Sequence, residues 1–227
     1  MVNSPNSKQV AKIIDHTLLE VDATQAEILQ LCAEACEYGF FSVCIRSEWL
    51  KVAREALKGS SVMAITVVGF PSGEESRLEK VNQTKMAIEN GAQEIDMVLN
   101  RTLLKKKEFG LVYQDIRSVV EASGNQWVKV ILETSELSLE EKVEACTLVK
   151  AAGANFVKTS TGFTSLGATT DDITLMRRIV GPEFGVKASG GVRSWQDAVN
   201  MVNAGATRLG TSASVAIIQK GHGTSDY

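Results

Sequence analysis

The chain is poor in proline, histidine and aromatic residues, and it carries no surplus of positive charge. Three prolines and two histidines in 227 residues leave no proline-rich linker, and 24 lysines and arginines against 27 acids give a net charge of -3. A basic stripe for nucleic acid is therefore absent. No apolar run reaches the roughly 20 residues that a membrane helix requires, and the segment from Met1 to Lys8 lacks the apolar core of a secretory signal. A cytoplasmic protein without nucleic-acid or membrane partners is expected. The four cysteines, Cys32, Cys36, Cys44 and Cys146, form no C-x-x-C pair, and His16 and His222 stand at opposite ends. That spacing argues against a metal site, and Cys32 and Cys36 fall at the spacing of a buried helix face. Neither a Walker A segment nor G-x-G-x-x-G is found, so nucleotide binding has little support.

What is present is an apolar content of 44%, enough for one large core, arranged as strand-like runs alternating with amphipathic helical ones. Eight such runs are expected, near Ile13–Leu18, Phe41–Ile45, Met63–Val68, Glu94–Leu99, Val128–Glu133, Phe156–Ser160, Gly185–Ser189 and Arg208–Ser212. Strict alternation implies parallel strands. Glycines 39, 91, 153 and 205 end helices at intervals of 52, 62 and 52 residues, about two β-α units each. Ser138-Leu139-Glu140-Glu141 reads as a capping box. The fold expected is α/β, a (β/α)8 TIM barrel forming a single domain over residues 1–227 with a short, flexible tail at 220–227; an open doubly wound sheet is the alternative.

Alternation along a strand sends successive side chains to opposite faces. Lys129 and Glu133 share one parity of the fifth run against Val128, Val130 and Leu132, and Glu94, Asp96 and Asn100 share one parity of the fourth. A barrel lumen opening into a polar site is implied. Lys158 and Lys187 each lie inside short apolar runs, where an ammonium loses its water at a cost. If both enter one lumen about 5 Å apart, repulsion at an effective dielectric of about 20 is near 3 kcal/mol, or about two pKa units. One amine is then driven toward neutrality and can form a Schiff base, with Asp96 as acid–base partner. The plain alternative for a lone lysine late in a strand is a solvated edge residue or an ion-pair partner. Gly190-Gly191-Val192-Arg193 and Gly210-Thr211-Ser212 sit where barrels often bind phosphate, though glycines there also serve tight turns. A phosphosugar isomerase or synthase without a covalent lysine, and a non-catalytic phosphosugar-binding barrel, remain as other readings of these residues.

Five segments in order, Ile14-Asp15-His16-Thr17-Leu18-Leu19, Val67-Val68-Gly69-Phe70-Pro71-Ser72-Gly73, Gly91 to Asn100, Val157 to Phe163 and Val186 to Arg193, resemble deoxyribose-phosphate aldolase, the class I aldolase family often called DERA. The resemblance runs from about Ile13 to Ser212. It implies reversible cleavage of 2-deoxy-D-ribose 5-phosphate to D-glyceraldehyde 3-phosphate and acetaldehyde, without cofactor or metal. It places the Schiff-base amine at Lys158, the proton donor and acceptor at Asp96 and the second active-site lysine at Lys187. It also implies supporting roles for Lys129 and Glu133, contacts to substrate from Asp15 and Thr17, and phosphate or substrate binding by Thr161, Gly162, Gly190, Gly191, Gly210 and Ser212. Phe163 stands where some members carry a lysine, and Ala213 where some carry a second serine. Tyr227 ends the chain as a tyrosine does in members whose C-terminus assists proton exchange. A phosphorylated aldose and aldehydes are the partners implied, and a homodimer is compatible with the family. Cys44 has lumen parity and is a candidate for modification by unsaturated aldehydes.

Overall fold

Helix caps and strand alternation set the architecture locally. The computed structural model describes residues 5–164 and 166–221. Its strands are β1 (Ile14–Leu18), β2 (Ser42–Ile45), β3 (Met63–Val68), β4 (Glu94–Val98), β5 (Trp127–Ile131), β6 (Phe156–Lys158), β7 (Gly185–Ser189) and β8 (Arg208–Thr211). They form a closed barrel in sequence order, every neighbour parallel, with β1 paired to β8. Thr24, Ser76, Ser138 and Ser194 each accept from the third helical N–H, and the acid three residues on returns the bond. Gly39 and Gly205 end their helices in the left-handed region, while Gly91 and Gly153 turn the chain one residue past the cap. Among the described residues no helix is long and apolar enough to cross a membrane.

The parity expected from the sequence holds in the barrel. Val43, Ala64, Ile95, Met97, Val128, Val130, Val157, Val186 and Leu209 face outward into the main core between sheet and helices. Full burial of such side chains contributes roughly 1.5–3 kcal/mol each. The outer layer thus carries the stability and leaves the lumen free to hold charge. Inside, the half of the wall around β2 and β3 is apolar, with Cys44 and Ile65 packed on Leu19 beside Met63, Val67 and Phe70. The remainder is ionic.

Three details differ from the sequence expectation. β5 ends at Ile131, and Glu133 adopts a left-handed conformation, φ 58° and ψ 62°, ahead of a short helical turn, Thr134–Glu136. Its side chain is aimed by that turn instead of by strand alternation. Asn100, grouped by parity with Asp96, lies beyond β4 and caps the next helix by accepting from the Leu103 N–H at 3.0 Å. β6 stops at Lys158, so Thr159 and Ser160 begin the loop. Gly210 and Thr211 lie in β8 as the eighth run expected, and Gly210 is paired on both sides, to Asp15 and Ser189.

Candidate active site

Seven charged side chains from six strands converge in the lumen. Asp96 on β4 accepts from Lys187 on β7 at 2.7 Å, a contact between strands that are not neighbours and therefore one that crosses the barrel interior. The same oxygen accepts from Lys158 at 2.9 Å, and the other Asp96 oxygen accepts from Lys129 at 2.7 Å. Lys187 also reaches Asp15 at 2.5 Å, and Lys129 reaches Glu94 at 2.5 Å. Arg208 closes the group with bonds of 2.9 Å to Asp15 and 2.9 Å to Glu94, its guanidinium 3.5 Å from the centroid of the Phe41 ring. All seven are buried. Charges taken this far from water persist only when paired and hydrogen-bonded.

The two lysines stand side by side because Lys158 and Lys187 are register partners across β6 and β7. Sharing one carboxylate oxygen caps the separation of their nitrogens at the sum of the two bond lengths. They nonetheless differ. Burial lowers Lys158 below the ordinary lysine range; Asp96 opposes that effect and the Lys187 charge adds to it. Burial acts on Lys187 in the same sense, but Asp15 and Asp96 outweigh it and raise the group, keeping it an ammonium. Asp96 is depressed well below the carboxylate range: burial pushes it up, and Lys129, Lys158 and Lys187 together override burial. Asp15 is lowered in the same way against burial, by Lys187, Arg208 and Lys129. A buried amine of lowered pKa beside a fixed carboxylate and a fixed ammonium is equipped for carbonyl addition followed by proton transfer.

Lys158 is the last residue of its strand, and the loop after it is tied down from β5. The Leu132 N–H donates to the Lys158 carbonyl at 2.9 Å and the Thr134 N–H to that of Thr159 at 3.0 Å. Glu133, fully buried, accepts from the Thr161 N–H at 3.2 Å, the Thr161 hydroxyl at 2.5 Å and the Thr164 hydroxyl at 3.0 Å. Thr161 is thus committed to Glu133, while Gly162 supplies a turn at φ 88°. Gly190 and Gly191 both have positive φ, and Gly190 lies so close to Gly167 that a Cβ on Gly167 would fall 2.2 Å from the Gly190 oxygen. The Thr211 hydroxyl donates to the Val192 carbonyl at 2.7 Å, joining the loops after β7 and β8. Asp197 accepts from the N–H groups of Arg193 and Ser194, which are therefore already engaged within this loop.

Other positions singled out from sequence have quieter surroundings. Asp15 is fully enclosed by Ser42, Lys187 and Arg208. The Thr17 hydroxyl donates to the Asp15 carbonyl at 3.0 Å. Gly210 makes room: a Cβ there would stand 2.8 Å from the Lys187 Cε. Phe163 is 45% exposed and meets Phe70 edge-on at 5.2 Å, and Ser212 borders a cavity with His16 and Thr17. Cys44 lines the apolar wall, its thiol pushed up chiefly by burial. Tyr227 and the tail from residue 222 lie outside the described residues. Sequence reasoning missed Arg208 as a lumen residue, although its parity with Gly210 on a short apolar strand was the signal. It used Glu94 only as a marker of parity.

Comparison with known proteins places the chain among relatives. The profile of the DeoC/LacD family of aldolases matches residues 9–220. A deoxyribose-phosphate aldolase from Geobacillus sp. (strain WCH70) is 54% identical over 219 residues, covering 96% of this chain and 98% of the relative. A crystal structure from Coccidioides immitis superimposes with a TM-score of 0.93 at 46% identity, covering 95% of this chain and 87% of that one. The deoxyribose phosphate aldolase from Aeropyrum pernix, solved as a tetramer, gives a TM-score of 0.89 at 31% identity over 94% and 91% of the two chains.

Proposed function

The chain belongs to the DeoC/LacD family of aldolases, and from that premise we propose how its lumen performs the reaction. The reaction is the reversible cleavage of 2-deoxy-D-ribose 5-phosphate to D-glyceraldehyde 3-phosphate and acetaldehyde. Family membership sets aside the isomerase and binding-only readings. In our assignment the free amine of Lys158 adds to the C1 aldehyde of the open-chain sugar, and loss of water gives an iminium. The C3 hydroxyl gives up its proton, the C2–C3 bond breaks, and its electrons pass to the iminium, leaving an enamine and releasing glyceraldehyde 3-phosphate. Protonation at C2 and hydrolysis return acetaldehyde and the amine.

Asp96, held ionised and within reach of Lys158, accepts protons and passes them on. Lys187 stays cationic, orients Asp96 and opposes protonation of Lys158. Lys129 fixes the other Asp96 oxygen, Glu133 steadies the loop after Lys158, and Asp15 anchors Lys187. The backbone of Gly190, Gly191 and Gly162, with Thr161, Thr17, Gly210 and Ser212 around the mouth, frames the phosphate end, and Tyr227 assists proton exchange at the enamine carbon. No cofactor enters the scheme. A cytoplasmic setting suits a phosphorylated substrate, and homodimers are the assembly we infer; light scattering after size-exclusion chromatography tests the latter.

The observation that carries the mechanism is the pair of bonds from Lys158 and Lys187 to one oxygen of Asp96. Incubation with acetaldehyde and borohydride, followed by peptide mapping, should place an ethyl group on Lys158 and none in Lys158→Ala. Equal labelling of parent and variant would remove the assignment.

A further inference from the structure

The ion pairs of the lumen form a closed ring. Glu94 is bridged to Asp96 by Lys129, Asp96 to Asp15 by Lys187, and Asp15 back to Glu94 by Arg208. Three cations alternate with three carboxylates, each cation touching two acids and each acid two cations. Counted by formal charge, the ring is neutral. Lys158 is the seventh group, attached at Asp96 alone. Among the described lumen groups it is the cation with a single carboxylate partner, and it is the one the ring has no charge to balance.

We propose that Arg208 and Glu94, at the far side of the ring from the chemistry, are positioning residues that set its charge balance and thereby keep Lys158 as a free amine. The physical reason is that a buried ammonium without its own counter-charge is unstable relative to the neutral amine. Removing a ring cation leaves an acid uncompensated, which a proton on Lys158 would balance. Removing a ring acid has the opposite effect. The groups around Lys158 are accounted for: Asp96 from β4, Lys129 from β5 behind it, Lys187 from β7, Asp15 from β1 beyond Lys187, and the neutral Cys44 thiol from β2. Glu133 is turned to the following loop, where the Thr161 and Thr164 hydroxyls and an N–H hold it.

This rests on Lys158 being the Schiff-base amine, and the experiment separates the two claims. Borohydride trapping of acetaldehyde on Lys158 is followed as a function of pH in the parent, Arg208→Met, Glu94→Gln and the double variant, with circular dichroism confirming the fold. Acetaldehyde carries no phosphate and the reductant is common to all samples, so differences in the acidic limb between parent and variants report the protein. In Arg208→Met the limb should move up by on the order of one pH unit, and in Glu94→Gln, a near-isosteric change, it should move down. The double variant leaves two cations and two acids besides Lys158, a neutral chain again, and its limb should return to the parent position. Arg208→Lys, which keeps the charge, should leave the limb in place. Merely structural roles would give two damaged singles and a worse double, with no restoration. Limbs that stay fixed, move in one direction, or fail to return in the double would overturn the charge-balance inference while labelling at Lys158 persists. A parent that is not labelled at Lys158 would overturn the aldolase assignment and this inference with it. Should Arg208→Met fail to fold, the downward shift in Glu94→Gln decides the matter.

Discussion

Replacing Glu133 with alanine tests how the loop after Lys158 is held. The carboxylate is fully buried and accepts three bonds, from the Thr161 N–H and hydroxyl and from the Thr164 hydroxyl. Hydrogen bonds to a charged group contribute roughly 1.5–3 kcal/mol each, but part of that is offset because the variant no longer buries a charge. A net loss of about 3–5 kcal/mol is expected once that offset is taken from the three bonds. For a chain of this size that lowers Tm by about 10 °C. The backbone supplies an internal control, because Glu133 sits at φ 58°, where a Cβ is unfavourable. Glu133→Gly should therefore be more stable than Glu133→Ala by about 1 kcal/mol, although it removes the same bonds. Urea unfolding of the three proteins measures both differences, and turnover of deoxyribose 5-phosphate should fall while Lys158 remains open to labelling. An alanine variant within about 1 kcal/mol of the parent, or a glycine variant below alanine, would refute the clamp.

Three further outcomes are expected. Lys187→Met removes the charge beside Lys158; repulsion of roughly 3 kcal/mol disappears, and the acidic limb of kcat/KM should move up by about two pH units, which a pH–rate profile will show or deny. Asp15 and Asp96 both titrate below the ordinary carboxylate range when folded, so their stabilisation is complete above about pH 4 and is lost as the pH falls through their depressed values. Acid unfolding of Asp15→Asn should accordingly show a weaker dependence on pH than the parent, and an unchanged slope would contradict the pairing. Deletion of Tyr227 should slow deuterium exchange into acetaldehyde while sparing Schiff-base formation, and unchanged exchange would exclude a role for that side chain.

Much of this was legible in the residues themselves. Period-2 alternation placed Asp96 and Lys129 on one face and Val128 and Val130 on the other, and the barrel bears that out because pleating is a property of each strand alone. Ser138 capped its helix as written, since its partner, the Glu141 N–H, is three residues away. Alternation stops informing at strand ends. Asn100 was grouped with Asp96 yet turned to cap a helix, and Glu133 left the strand pattern for a left-handed turn.

By itself the sequence determined eight alternating units and the shared parity of Glu94 with Asp96 on the fourth, because these depend on contacts within a few residues. Only the tertiary structure decided which charges pair. Arg208 and Asp15 are 193 residues apart, and Lys187 and Asp96 are 91 apart. Their meeting depends on closure of β8 against β1 and on the stagger of strands around the lumen, which no local pattern encodes. The same closure makes Gly210 a gap through which Lys187 passes, and it leaves Lys158 as the one lumen cation, among the described residues, with a single acid to face.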